Sequence, residues 1–125
     1  MIYFIQELES GSIKIGKSVA PLKRLKSLQS GNIRELVLAG WIDGGLYEEK
    51  LWHKDFNDSR LSGEWFLPTP RLCDAIYGAV RDFISSGKFS GLDKQIPHEF
   101  GGAVLNQYFI DSKPIKKTEY QDDEE

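Results

Sequence analysis

The feature that most constrains the fold is a pair of short apolar segments at the start of the chain, joined by a tight loop. Residues 2–6 (IYFIQ) are mostly aromatic or β-branched, and residues 12–16 (SIKIG) place Ile13 and Ile15 on one face and Lys14 on the other. Alternation of this kind is typical of half-buried strands. The intervening ELESG is short and ends in Ser-Gly, as a hairpin loop does. The sequence therefore predicts an antiparallel β-hairpin at this end of the chain.

The rest of the pattern alternates helices with strands. Apolar residues recur at helical spacing in three stretches, each with a recognisable start or stop signal. The predicted elements are a helix with Ser18 as N-cap that ends at residues 30–32, a strand at 36–42, a helix at 46–56, a short strand in GEWFL, and a helix from Thr69-Pro70 to Gly87. Together with the hairpin they predict an α+β fold, a small, mainly antiparallel β-sheet flanked by helices.

The length of 125 residues fits one domain of ordinary size. We expect residues 1–90 to form this domain, residues 91–112 to be a C-terminal extension packed on or near it, and residues 113–125 to be a charged, acidic, mobile tail. Cys73 is the only cysteine, which rules out an intramolecular disulfide and suits the cytoplasm. Its apolar helical setting predicts a core residue. No segment has the length of a membrane span, so we expect no membrane partner.

The charges are unevenly distributed along the chain. The net charge is −3, but five of the nineteen acids lie in the last seven residues, and without them sixteen basic residues face fourteen acids. No acid occurs between Ser10 and Arg34, where six basic residues are found. A basic stretch of this kind either meets phosphates or is a solvated helix face. We predict that it binds nucleic acid, through Lys17, Lys23, Lys26 and Arg34.

Five short motifs follow one another through the predicted domain. They are IYFI at residues 2–5, KIG at 14–16, RLKSLQSGN at 24–32, EKLWHKDF at 49–56 and RLSGEWF at 60–66. No single motif is specific, but the ordered set resembles the GIY-YIG nuclease superfamily over about residues 1–90. The similarity is to its compact phage and bacterial branch, which has KIG in place of YIG and a GEWF motif.

The resemblance implies a metal-dependent DNA endonuclease that hydrolyses phosphodiester bonds with one divalent metal ion, Mg²⁺ or Mn²⁺. It makes Tyr3 the general base, Arg24 the catalytic arginine and Glu49 the metal ligand. Lys14 replaces the second tyrosine of the superfamily and is expected to hold a phosphate or the proton network of the nucleophile. The late polar residue that the superfamily often has, commonly an Asn, has no clear counterpart in this sequence.

The residue chemistry agrees with these roles. Phosphodiester hydrolysis needs an activated water, charge relief on the phosphoryl oxygens and help for the leaving oxygen. A phenol is a poor base at neutral pH unless neighbouring cations lower its pKa. His53 lies one helical turn after Glu49, where it would either assist the leaving group or serve as a structural partner of Glu49. Glu48 is the metal ligand if the helical register is shifted by one residue.

Two other interpretations stay open. The acidic net charge and the lack of a separate DNA-binding domain favour a catalytically weak or inactive module that binds nucleic acid or protein on the same scaffold. The acidic tail favours an interaction protein, with a protein partner or a second copy bound through the C-terminal extension.

Glu64 is expected to pair with Arg60.

Overall fold

The computed structural model describes residues 1–86, which form a five-stranded antiparallel sheet with three helices. This confirms the predicted α+β class. The strands are β1 (Ile2–Glu7), β2 (Ile13–Lys17), β3 (Leu36–Ile42), β4 (Arg60–Ser62) and β5 (Trp65–Phe66). The helices are α1 (Pro21–Ser30), α2 (Leu46–Asp55) and α3 (Pro70–Ser85), and a 3₁₀ turn spans Asn57–Ser59. The predicted extension at 91–112 and the predicted tail at 113–125 lie outside the described residues.

The strand order in the sheet is β3-β1-β2-β5-β4. β1 and β2 form the predicted hairpin, in which Tyr3 faces Gly16 and Ile5 faces Lys14. The loop is closed by a hydrogen bond of 2.9 Å from the Glu7 amide to the Ser12 carbonyl. β1 is the second strand of the sheet and pairs on its other side with β3. The hairpin therefore lies at the centre of the sheet.

Both faces of β1 are buried, because strand side chains alternate between the two sides of a sheet. Ile2 and Phe4 belong to a core covered by α2 and α3, and Tyr3 and Ile5 belong to a second core covered by α1. Cys73 is buried in the first of these cores, as predicted. The sheet thus lies between helices, and Tyr3 is on the α1 side.

The starts of the helices agree with the sequence at α3 and differ at α1. Thr69 caps α3, since its Oγ1 accepts a hydrogen bond of 3.2 Å from the Leu72 amide. The predicted N-cap at Ser18 is wrong: Ala20 occupies that position, and Ser18 Oγ accepts a hydrogen bond of 3.0 Å from the Ala20 amide. Pro21 explains the difference, because its fixed φ favours the first helical position. No helix within residues 1–86 is both long enough and apolar enough to cross a membrane.

A second, smaller hairpin brings Glu64 to the edge of β2. β4, which was not predicted, pairs with β5 across a turn at Gly63, where φ is 55°. A left-handed φ of this kind favours glycine. β5 in turn pairs with β2, placing Trp65 opposite Lys14. Glu64 is therefore adjacent to the point where the β2–β5 pairing ends.

Gly16 is required by the close approach of Tyr3. A Cβ at Gly16 would overlap the Tyr3 hydroxyl and Cζ and lie 2.9 Å from Cε2. Because the Tyr3 side chain is fully buried, its ring has no room to retreat. We expect Gly16→Ala to destabilise the protein by about 2–3 kcal/mol, as overpacking does. Urea unfolding would measure this.

The matched control is Gly78→Ala, at a position inside α3 where an added Cβ meets nothing within 4 Å. Alanine is the better helix former, so this variant should gain up to about 1 kcal/mol. If Gly16→Ala proved as stable as Gly78→Ala, the packing of Tyr3 over Gly16 would be disproved.

Candidate active site

The site is built on Ile15 of β2, just beyond the residues that pair with β5. The Ile15 amide donates a hydrogen bond of 2.9 Å to the carbonyl of Glu64. The Ile15 carbonyl lies 2.8 Å from Nε2 of His53 on α2. One residue of β2 therefore holds both the β4–β5 turn and α2 in place.

The bond to Ile15 determines which nitrogen of the His53 ring carries a proton. A carbonyl oxygen can only accept a hydrogen bond, so Nε2 must carry the proton. In the neutral imidazole Nδ1 then has the lone pair and can accept a hydrogen bond or bind a metal ion. His53 also lies against the Phe66 ring, with 5.3 Å between the ring centroids. His53 is thus anchored to the backbone of β2, and Nδ1 is the ring atom left for a ligand bond.

Glu49, His53 and Glu64 form an acid–histidine cluster. Each offers a ligand atom, and these atoms all lie within 4.8 Å of one another. Burial raises the pKa of Glu49, and the negative charge of Glu64 and a hydrogen bond to it raise this pKa further, while His53 and Lys17 act in the opposite direction. A divalent cation would relieve the repulsion between the two carboxylates. Two carboxylates with one imidazole suit Mn²⁺, and Mg²⁺ would use the carboxylate oxygens.

The neighbouring Glu48 has a different role. Its Oε1 accepts a hydrogen bond of 2.6 Å from the Gly45 amide, which caps the start of α2. Glu48 is exposed, whereas Glu49 is only 8% exposed and faces the cluster. The structure therefore places Glu49, and not Glu48, among the candidate metal ligands.

Lys14 stands on the other side of Glu64. Its Nζ lies 3.1 Å from Glu64 Oε1 and 5.5 Å from the centre of the Trp65 ring. The predicted pairing of Glu64 with Arg60 is wrong, because the β5 register sets Trp65 opposite Lys14 and so brings Glu64 beside Lys14. Arg60 lies instead over the Phe66 ring, 5.5 Å from its centre.

Tyr3 reaches the cluster through Arg24. A hydrogen bond to Tyr3 is the main cause that raises the pKa of the Arg24 guanidinium, and the charge of Glu64 acts in the same direction. The Tyr3 ring is buried, while Arg24 is exposed on α1. The buried Tyr3 hydroxyl thus lies beside an exposed cation on which the charge of Glu64 also acts.

Most of the predicted site residues lie at or next to the acid–histidine cluster. Lys14, Arg24, Glu49 and His53 lie around Glu64, Tyr3 lies beside Arg24, and Lys17 is close enough to Glu49 to affect its pKa.

Lys23 and Lys26 are exposed on α1, the helix of Arg24. Arg34 is elsewhere: it pairs with Glu7 at 3.0 Å and with Glu9 at 3.6 Å. Glu7 is four residues from Tyr3 along β1, about 13 Å at the rise of a strand.

Glu64 belongs to the cluster although the sequence did not predict a site role for it. The GEWF motif was the available signal, but the residue spacing alone did not show which group its glutamate would meet.

The raised pKa of Glu49 predicts a stability effect. A carboxyl group that binds its proton more tightly in the folded than in the unfolded protein destabilises the fold when it ionises. This destabilisation is absent below the ordinary glutamate pKa near 4.5 and complete above the raised pKa. In chelator at neutral pH, Glu49→Gln should therefore raise the melting temperature, by roughly 2–5 °C. The gain should fade as the pH falls toward 4.5. Thermal melts across this pH range measure it.

Glu48→Gln is the control, because the glutamine amide oxygen can still cap Gly45. It removes one negative charge from the same helix and should give no comparable gain. A Glu49→Gln protein less stable than wild type in chelator at neutral pH would contradict the assignment of a strained buried carboxylate.

Comparisons of the chain with protein-family models, curated proteins and solved structures found no match. The resemblance to the GIY-YIG superfamily therefore depends on the ordered motifs. The structure adds that four residues chosen from those motifs lie around one glutamate and that a fifth, Tyr3, lies beside one of the four, Arg24.

Proposed function

We propose that this protein is a metal-dependent DNA endonuclease that hydrolyses phosphodiester bonds at the surface around Glu64. The observation that supports the proposal is convergence. Four groups of the kind this chemistry needs lie around Glu64: an ammonium from β2, a guanidinium from α1, and a carboxylate and an imidazole from α2. A phenol from β1 lies beside the guanidinium. Packing alone does not require such a set of polar groups to meet.

In this mechanism Arg24 binds two oxygens of the scissile phosphate with its planar fork. The Tyr3 oxygen accepts a proton from the attacking water, and the neighbouring Arg24 guanidinium orients it. Lys14 supplies a second positive charge to the phosphoryl oxygens. Glu49, His53 and Glu64 would hold a divalent cation, which would supply Lewis-acid stabilisation of the charge on the phosphate and leaving oxygens.

The test is cleavage of supercoiled plasmid DNA by the full chain with Mg²⁺ or Mn²⁺, in parallel with chelator. We expect nicked or linear product with the cation and none with chelator. A wild-type protein that leaves DNA and RNA intact with either cation would overturn the endonuclease assignment.

The basic surface formed by Lys23 and Lys26 should make DNA affinity fall as the salt concentration rises. If Lys23 and Lys26 each meet one phosphate, replacing either by glutamine should lower the slope of log affinity against log salt by about one. Fluorescence anisotropy with a labelled duplex at several KCl concentrations measures this slope. Arg34→Gln is the control, because Glu7 and Glu9 already pair with Arg34. An affinity that does not change with salt would point to a protein partner.

The second candidate is a binding module on the same scaffold, with weak or absent catalysis. The ion pair between Lys14 and Glu64 favours the binding module, since the pair neutralises the Lys14 charge that catalysis would use. The net charge of −3 also favours it. DNA binding without cleavage, at any cation concentration, would distinguish this module from the endonuclease. DNA as partner and the cytoplasm as location stay predictions.

A further inference from the structure

Glu64 is shared between two groups that both attract its carboxylate. On one side Lys14 Nζ lies 3.1 Å from Oε1. On the other side a Glu64 oxygen lies within 4.8 Å of the ligand atoms of Glu49 and His53. In one conformation the same carboxylate therefore neutralises Lys14 and lies within reach of a cation bound by Glu49 and His53, so the two positive charges would compete for it.

Of the three residues in the acid–histidine cluster, Glu64 is the one able to move. Glu49 is only 8% exposed, and His53 is tied to the Ile15 carbonyl at 2.8 Å. The Glu64 side chain is 38% exposed and stands next to the turn at Gly63. A partly exposed glutamate changes its rotamer at little cost. A cation binding between Glu49 and His53 would therefore draw Glu64 toward it, while the other two stay in place.

We propose that Glu64 couples the cation site to the phosphate site: with no cation present Lys14 neutralises its charge, and a cation bound beside Glu49 and His53 would compete for that charge, which leaves the Lys14 ammonium for a substrate phosphate. This inference rests on the proposed function, because it assigns the phosphate to Lys14. It predicts that cation and DNA strengthen each other's binding by the same factor, as linkage requires. The ion pair of Lys14 is thus a resting state of the site.

The first test needs no DNA and measures Mn²⁺ affinity by electron paramagnetic resonance on the full chain. Glu64→Gln should weaken Mn²⁺ binding about tenfold or more, because it removes a charged ligand. Lys14→Gln should tighten binding several-fold, because the competitor for Glu64 is gone. In the Glu64→Gln background, Lys14→Gln should have almost no effect.

Lys17→Gln is the control for a general effect of charge, because Lys17 also acts on Glu49. It should tighten Mn²⁺ binding equally in the wild-type and Glu64→Gln backgrounds. If Lys14→Gln behaved in the same way as Lys17→Gln, the inference would be overturned even though the cation site itself stood.

The second test adds a duplex with a non-cleavable phosphorothioate linkage. In the wild type, DNA should tighten Mn²⁺ binding by about 5–10-fold, and Mn²⁺ should tighten DNA binding equally. Glu64→Gln should reduce this coupling to about twofold or less, while its DNA affinity in chelator rises because Lys14 is already available. Glu48→Gln, which removes a neighbouring charge, should leave the coupling unchanged.

The two tests separate the inference from the proposed function. A wild type that binds no DNA would end the endonuclease proposal, and with it the assignment of a phosphate to Lys14. A Mn²⁺ cycle without interaction between Lys14 and Glu64 would overturn the inference alone, with the cleavage assay unaffected.

Discussion

Replacing Glu49 by alanine should lower cation-dependent DNA cleavage by at least about 10³-fold while the protein stays folded. Glu49 is the most buried member of the acid–histidine cluster, and neither His53 nor Glu64 can occupy its place. The fold should survive because ionised Glu49 lowers stability, as the upward shift of its pKa indicates. DNA binding in chelator should persist or tighten, since a negative charge near the phosphate is removed.

Glu48→Ala is the control for this prediction, because it removes the adjacent carboxylate from the same helix. It should cost about 1 kcal/mol of stability through the lost cap at Gly45 and leave cleavage nearly unchanged. Single-turnover cleavage and DNA affinity in chelator are the two measurements. Robust cleavage by Glu49→Ala would remove Glu49 from the metal site, and loss of cleavage by Glu48→Ala alone would reverse the roles of the two residues.

Local patterns explain which parts of this fold could be predicted from the sequence. Alternation in residues 2–6 and 12–16 indicates which side chains share a face, and the short loop between them favours a hairpin, so this element follows from short-range geometry. Helical spacing likewise places Glu49 and His53 on one face of α2, and the structure brings both to the same cluster. In each case the residues concerned are close in sequence.

Contacts between distant segments could not be predicted in the same way. Glu64 meets Lys14 because β5 pairs with β2 in one particular register, and a two-residue strand has too little pattern to fix that register in advance. Arg34 was assigned to nucleic acid from the local absence of acids. In the fold, however, Glu7 at the end of β1 and Glu9 in the loop that follows it pair with Arg34. A stretch of sequence without acids therefore forms a basic surface only when the segments that pack beside it in the fold also lack acids.

Removing the hydroxyl of Tyr3 should lower turnover by about 10²–10⁴-fold, the usual contribution of a general base, with little change in stability. Tyr3→Phe keeps the ring that packs over Gly16 in the α1 core. The lost hydrogen bond goes to Arg24, which is exposed, so water can replace the hydroxyl and the free energy of unfolding should change by less than about 1 kcal/mol. Cleavage rates and urea unfolding on the same protein measure both effects.

Tyr77→Phe makes the same chemical change on the opposite side of the sheet, where Tyr77 packs against the α2/α3 core and lies beside Arg81. It should leave cleavage unchanged. The pair of variants separates chemistry from packing, because both keep an aromatic ring and only one removes a hydroxyl bonded to Arg24. A Tyr3→Phe protein as active as Tyr77→Phe would make Tyr3 a core residue and would require another group to take the proton from water. The phenol's bond to Arg24 would then serve only to orient the guanidinium.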